Sequence, residues 1–428
     1  MSENAGVKLL AVKGMNDVLP PDSAKWAAIE RCARAVFHAH GYRELRTPIV
    51  EYTPLFVRSI GEATDVVEKE MYTFTDRGDR MITLRPEGTA SAVRALLEHG
   101  ELARDPVVRW YYAGPMFRHE RAQRGRYRQF YQLGVEAFGV GEPTIDAEQI
   151  AMLVEIFTSL GIGGLETLVN SVGGAEDRPR YRAALVAHLE PRRDALCPDC
   201  QRRLGTNPLR VLDCKSPSCQ TQVADAPSIL DHLGDAARAH LDGVRAGLDA
   251  LGVAHRVEPR LVRGLDYYTG TTFEVRVTGG DLGAQNTLGA GGRYDALVAE
   301  LGGPATPAIG FAFGMERVAL TMPAPATEFE PKLDVYLAAH GAAARLACLG
   351  AARELRAAGL VAEMEHRAVS LKAQLKRANR FGARAVVVIG DTELAEGVIV
   401  LRDMQAGTQE RVPRAELVAA TQQLRERL

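Results

Sequence analysis

The amino-acid sequence predicts an α+β protein: a body built on a largely antiparallel sheet flanked by helices, followed by a smaller α/β domain. Three observations carry that expectation. In residues 109–136, RWYYAGPMFRHERAQRGRYRQFYQLGVE, both edges alternate with period two around an Arg/Gly-rich middle, the pattern of an antiparallel hairpin with a cationic tip. Residues 323–331 are proline-rich and mark a linker, so the body is expected over 1–325 and the second domain over 331–428. Beyond that linker, strands at 334–338, 361–366 and 385–389 alternate with helices at 342–358 and 371–381, the order of a compact α/β unit.

Taken in order, residues 83–89 (TLRPEGT) follow an apolar β-like stretch and open a helix. Within the hairpin, Arg118, Gln132 and Glu136 are even-numbered and point to one face, while Phe130, Tyr131, Leu133 and Val135 are expected to build a sheet wall. An arginine, an amide and a carboxylate on one rigid face suit a ligand carrying both an amine and an anion. A solvated hairpin with surface arginines is the alternative. Between residues 171 and about 260 the chain reads as a mostly helical insertion. After it come LVRGLDYY (261–268) with a strand at 273–275, then GAGGRYD (289–295), expected as a flexible turn ending in charge. Last in the body, GFAFGMER (310–317) reads as a small-residue strand entering a helix whose first turn carries Arg317.

Together these segments resemble the class II aminoacyl-tRNA synthetases, with residues 41–49 similar to motif 1, residues 85–89 and the Phe117-Arg118-His119-Glu120 hairpin to motif 2, and residues 310–317 to motif 3. LVRGLDYY and GAGGRYD are similar to the two signatures of the histidine-specific branch, and the resemblance runs from Lys13 to the C-terminus. It implies a class II catalytic domain with a helical insertion, a C-terminal anticodon-binding domain, and a homodimer formed through residues 41–49. The implied reaction has two steps: histidine and ATP give histidyl-adenylate and pyrophosphate, then histidine passes to the 3′ end of its tRNA. ATP would enter with Mg²⁺, and the place of action would be the cytoplasm.

Carried over by motif, Arg118 and Arg263 would be the catalytic arginines at the α-phosphate, with Arg118 also holding the amino-acid carboxylate. Arg118, Arg126 and Arg317 would hold ATP, with Glu120 facing the adenine. Glu87, Gly88, Thr89, Gln132, Glu136, Tyr267 and Tyr268, with Arg118 and Arg263, would bind histidine, and Arg121 and Gln123 at the hairpin tip would meet the tRNA acceptor end. Adjacent on a strand, Tyr267 and Tyr268 would face opposite ways, so one could be core. Asp266 reads as a turn cap and His119 as a residue of the opposite face. The same fold also serves as a regulatory subunit of a histidine-biosynthetic phosphoribosyltransferase. Such a protein typically lacks the tail domain and part of the ATP-binding arginine set, whereas Arg118, Arg126, Arg263, Arg317 and the α/β tail are all present here.

Composition sets the remaining bounds. Hydrophobic and charged contents of 46% and 25% are those of an ordinary globular protein, no stretch suggests a membrane span, and the first ten residues do not read as a signal peptide. The formal charge of −2 is unevenly shared: residues 331–428 hold 15 basic and 11 acidic side chains, so they carry +4 and the rest −6. Arg367, Lys372, Lys376, Arg377 and Arg380 gather there on or near one helix, either as a solvated face or as an anticodon contact. Six cysteines in so long a chain do not make a disulfide scaffold. Four of them, Cys197-x2-Cys200 followed by Cys214 and Cys219, have a spacing compatible with structural zinc, although the second pair is looser and the context helical. Four reduced thiols in a helical module is the other reading. Cys32 and Cys348 read as core residues of amphipathic helices.

Overall fold

In the computed structural model the described residues are 8–61, 64–279 and 286–426, so most of the stretch read for a signal peptide lies outside them. The chain divides into two compact units, Met1–Glu328 and Phe329–Leu428. In chain order the first unit contains β1 (Arg43–Glu44), β2 (Val50–Tyr52), β3 (Tyr72–Thr75), β4 (Met81–Leu84), β5 (Val108–Phe117), β6 (Gln129–Phe138), β7 (Leu165–Ser171), β8 (Arg256–Val257), β9 (Thr271–Val277), β10 (Thr287–Arg293) and β11 (Ala308–Gly314). Eight of these form one sheet in the order β1-β5-β6-β11-β10-β9-β7-β8, antiparallel except at its two outer pairs, while β2-β4-β3 make a small sheet beside it.

β5 and β6 pair without a break from Val108↔Phe138 to Phe117↔Gln129, so alternation fixes which residues face the same way. Phe130 is even-numbered like Gln132 and Glu136, and it belongs to their face rather than to the wall formed by Tyr131, Leu133 and Val135. The guanidinium carbon of Arg118 lies 5.3 Å from the centre of its ring.

The segment 289–295 corrects a second expectation. Gly289 to Arg293 are not a flexible turn but most of β10, between β9 and β11. A side chain at Gly291 would come within 2.2 Å of the Gly310 carbonyl and 2.7 Å of the Phe273 ring, so these glycines allow neighbouring layers to approach. Arg293 turns inward onto Asp146 at 2.7 Å and is structural. Beneath the sheet, Leu96, Phe138, Tyr294, Leu297 and Val298 share a buried cluster.

Residues 177–250 are helical, with helices Asp177–Leu189, Pro198–Thr206, Leu209–Leu212, Pro217–Gln222 and Asp235–Ala250. Their apolar faces close on a core of their own that includes Tyr181, Leu185, Leu204, Val211 and Leu241, together with Cys200, Cys214 and Cys219; it also takes in Val262 of the LVRGLDYY segment.

The second unit has β12 (Val335–Ala339), β13 (Ala362–Met364), β14 (Ala385–Ile389), β15 (Val398–Asp403) and β16 (Gln409–Pro413) in the order β13-β12-β14-β15-β16. The first three are parallel, with helices Ala342–Ala357 and Leu371–Arg380 in the connections, and β15 and β16 add an antiparallel edge. That edge is unread in the sequence because Gly390-Asp391 looks like an ending. Here Gly390 instead starts a short helix, donating its N–H to the Glu393 carboxylate at 2.9 Å.

Candidate active site

The antiparallel sheet opens on one face into a cleft of about 510 Å³. Of the residues expected to form a site, Glu87, Thr89, Arg118, Glu120, Arg126, Gln132, Arg263, Tyr267, Tyr268 and Arg317 line it. Gly88 lies beneath that lining: a side chain there would meet the Tyr112 ring at 2.3 Å, so its bareness lets Tyr112 stand in the cleft wall. Arg121 and Gln123 are exposed at the hairpin tip, outside the cleft, as expected of residues at the end of a turn.

One end of the cleft is acidic and hydroxyl-rich. Glu87 accepts the backbone N–H groups of Thr89 at 2.6 Å and Ala90 at 2.8 Å, capping the helix Thr89–Glu98 while lining the cleft. Glu136 is 1% exposed and sits just beneath the lining. Its carboxyl accepts hydroxyls from Thr89 at 2.7 Å, Tyr112 at 3.0 Å and Tyr294 at 2.5 Å, all three of which line the cleft. Burial pushes its pKa up to about 8 against the pull of those hydroxyls, with Glu87 adding to the rise. Gly310 faces it from β11, where a side chain would collide with the carboxylate oxygen.

The two tyrosines do not diverge as strand neighbours would, because residues 261–270 form no strand. Their rings lie 4.7 Å apart, both in the cleft, with Tyr294 5.7 Å from Tyr267. Burial raises both phenols, so they stand as neutral hydroxyls able to donate or accept. Asp266 lies outside the lining, accepting Asn207 Nδ2 at 2.7 Å, and His119 is exposed with its ring edge-on to Tyr72.

A second group of lining residues is cationic. Arg118 is aimed by its Nε–H, which donates to the Pro86 carbonyl at 2.8 Å. Arg126 reaches Glu120 at 3.1 Å, and Arg317 donates Nε to the Gly125 carbonyl at 3.1 Å and Nη1 to the Thr287 carbonyl at 3.0 Å. Burial, and then the nearby Arg126, lower the pKa of Arg317: positive charge is crowded here, as an anion site requires. Arg263 is fixed by an ion pair to Glu274, a residue overlooked in the sequence. Burial alone would raise the Glu274 carboxyl, but Arg263 and Arg276 outweigh it and hold it below the ordinary range.

Among the described residues, two buried polar atoms in this cleft have no hydrogen-bond partner, the acceptor Gln132 Oε1 and the donor Arg263 Nε. Leaving such atoms unmade costs about 1–3 kcal/mol each. A bound molecule bringing a donor to the first and an acceptor to the second removes that cost.

Tyr112, Phe130, Glu274 and Tyr294 are among the cleft residues that sequence reasoning missed. Tyr112 and Phe130 carried a signal, since both share the parity of Gln132. In the insertion, Cys197, Cys200, Cys214 and Cys219 bring their sulfurs within 4.8 Å of one another, the one group among the described residues arranged to hold a metal.

The histidyl-tRNA synthetase family profile matches residues 14–318, and an anticodon-binding-domain profile matches residues 334–424. The chain is 52% identical over 416 residues to the histidine–tRNA ligase of Anaeromyxobacter dehalogenans, spanning 96% of this chain and 99% of that protein. The apo crystal structure of S. aureus histidyl-tRNA synthetase superposes with a TM-score of 0.82 at 39% identity, over 97% of this chain and 100% of that one. A Bacillus halodurans protein described as an ATP phosphoribosyltransferase regulatory subunit/histidyl-tRNA synthetase shares the fold, with a TM-score of 0.66 at 21% identity, over 90% and 99% of the two chains.

Proposed function

The chain belongs to the histidyl-tRNA synthetase family, an ATP-dependent ligase family joining histidine to tRNA, and on that basis we propose how its cleft does the chemistry. The carrying observation is the pair of unpartnered buried atoms, Gln132 Oε1 and Arg263 Nε. Histidine's α-ammonium supplies a donor to Gln132, and the α-phosphate of ATP supplies an acceptor to Arg263.

Activation forms a bond from a histidine carboxylate oxygen to the α-phosphorus and breaks the bond from that phosphorus to the oxygen of departing pyrophosphate. Almost all the help such a step can receive is positioning and neutralisation of charge. Arg118 stands where the two substrates meet and holds the carboxylate and α-phosphate together. Arg263, kept rigid by Glu274, stabilises charge developing on the phosphate oxygens. Arg126 and Arg317 hold the outer phosphates and Glu120 faces the adenine, with Mg²⁺ arriving on ATP. Glu87 and Thr89 take the remaining bonds of the ammonium. The imidazole lies between the tyrosine pair and the hydroxyls ordered by Glu136, so each ring nitrogen meets a polar partner. In the second step the terminal adenosine hydroxyl attacks the histidyl carbonyl and AMP leaves.

The tRNA would be met by Arg121 and Gln123 at its acceptor end, and by the second unit through the basic face of the helix Leu371–Arg380 and Arg367. A homodimer through residues 41–49 is supported by exposed apolar side chains at and beside that segment, Ile49, Tyr52, Phe74 and Met81. No helix among the described residues is long and apolar enough to cross a membrane. A cytoplasmic place of action follows from the tRNA substrate.

Arg263→Ala tests the assignment, because Glu274 keeps Arg276 as a partner, at 2.7 Å, and the fold should survive. Histidine-dependent pyrophosphate exchange should fall roughly 10²- to 10³-fold, as when one preorganised donor is removed. Calorimetric histidine affinity should stay within a few-fold. Normal exchange in this variant would remove Arg263 from the reaction.

A further inference from the structure

The four clustered cysteines belong to the insertion and are not needed by the reaction above. The Sγ atoms of Cys197 and Cys214 lie 3.8 Å apart, all four sulfurs lie within 4.8 Å of one another, and none is in a disulfide. A tetrahedral zinc thiolate with bonds of about 2.3 Å separates its sulfurs by about 3.8 Å. A disulfide would need about 2.05 Å. Cys200 and Cys219 are fully buried, and the set contains no carboxylate or imidazole, which favours a soft tetrahedral ion over magnesium or calcium. The backbone is arranged around the sulfurs as well: the Cys197 N–H points at Cys219 Sγ at 3.2 Å and the Ser216 N–H at Cys214 Sγ at 3.4 Å, two donors suited to thiolate charge.

We propose that these four thiolates bind one structural zinc ion, taking up Zn²⁺ and releasing four protons, and that the ion holds the cleft-side wall of the insertion in place. The wall is continuous with the site. Cys214 lies between Asp213 and Lys215, which both line the cleft. From the segment linking the two cysteine pairs, Arg210 donates to the Gly264 carbonyl at 2.7 Å, next to Arg263, and Asn207 holds Asp266. Arg203, three residues after Cys200, pairs with Asp65 across the same seam. Without the ion, the four thiols add only packing to those hydrogen bonds and that ion pair.

The test is elemental analysis of the full-length protein, made in zinc-supplemented medium and washed with chelator. About one zinc per chain is expected. Cys197→Ser and Cys219→Ser should each lose it, whereas Cys32→Ser and Cys348→Ser should keep it. Exchange of the wild-type metal for cobalt(II) should give the intense visible bands and thiolate charge-transfer absorption of a tetrahedral sulfur site, a readout that stands even if the variants fail to fold. Stripped protein should be cut by protease within residues 197–222 faster than the zinc form. Absence of zinc, iron in its place, zinc retained by the Cys197 and Cys219 variants, or a cobalt spectrum lacking thiolate charge transfer would each overturn the assignment. None of these outcomes touches the roles proposed for the arginines, which pyrophosphate exchange reports separately.

Discussion

On the proposed reading substrate choice turns on Glu136, and its environment makes the effect measurable. Three hydroxyls converge on a carboxyl that burial raises to about 8 from an ordinary 4.5. The folded protein therefore keeps a proton that the unfolded chain releases, and this group's contribution to stability is full at the acid end and is lost as pH rises through about 8. Glutamine mimics the protonated form, so Glu136→Gln should flatten the fall of Tm on the alkaline side. It cannot take up negative charge behind the hydroxyls that face a cationic ligand, so the KM for histidine should rise on the order of 10- to 100-fold, with the KM for ATP nearly unchanged. The wild-type KM for histidine should also improve as pH rises through about 8, and the variant should lack that trend. Equal effects on both substrates would place Glu136 elsewhere. Strand parity revealed Glu136 and Gln132 from the sequence, because alternation is a strong local constraint. Tyr294 and Glu274 were hidden, since what makes them site residues is their contact with Glu136 and Arg263, 158 and 11 residues away in the chain.

At the scale of the element, the β5–β6 hairpin combines an unbroken ladder with a tip tied down on its inner side. Arg128 N–H donates to the Gly14 carbonyl at 2.7 Å, Arg317 holds the Gly125 carbonyl, and Gln123 and Arg126 exchange backbone bonds at 3.0 and 2.9 Å. These ties fix the inner side of the tip and leave Arg121 and Gln123 exposed. Both side chains can donate in pairs to a guanine edge or a phosphate, contacts worth about 1–3 kcal/mol each to a base. The double substitution Arg121→Ala, Gln123→Ala should thus slow single-turnover transfer to tRNA roughly 10- to 100-fold while pyrophosphate exchange stays within a few-fold of normal. Unchanged transfer would make them surface residues. The hairpin was legible because its alternation and its Arg/Gly tip agree. β10 was not: Gly289, Gly291 and Gly292 have the local preferences of a turn, and only the approach of β9 and β11 makes a strand of them.

The whole molecule consists of two units, and each has its own core. In Phe329–Leu428 the residues Val335, Leu337, Leu355, Val387, Ile399 and Leu417 form one fully buried cluster. A chain ending at Glu328 should accordingly keep a folded cleft and full histidine-dependent pyrophosphate exchange. Its charging of intact tRNA should suffer, because the contact proposed for the second unit is gone. The basic face there is smaller than a count of charges suggests: Arg367 is paired to Glu365 at 2.9 Å and Arg377 to Glu363 at 3.3 Å, which leaves Lys372, Lys376 and Arg380 as its exposed side chains outside an ion pair among the described residues. A handful of phosphate and base contacts corresponds to a loss in kcat/KM on the order of 10- to 100-fold, carried mainly by KM and shrinking as salt is raised. A minihelix with the acceptor stem and no anticodon separates this contribution from that of the hairpin. The truncated chain should charge the minihelix about as well as the full-length protein does, and the Arg121/Gln123 variant should charge it poorly. If truncation also cripples minihelix charging, the second unit supports the catalytic body itself, and its proposed role in reading the anticodon fails.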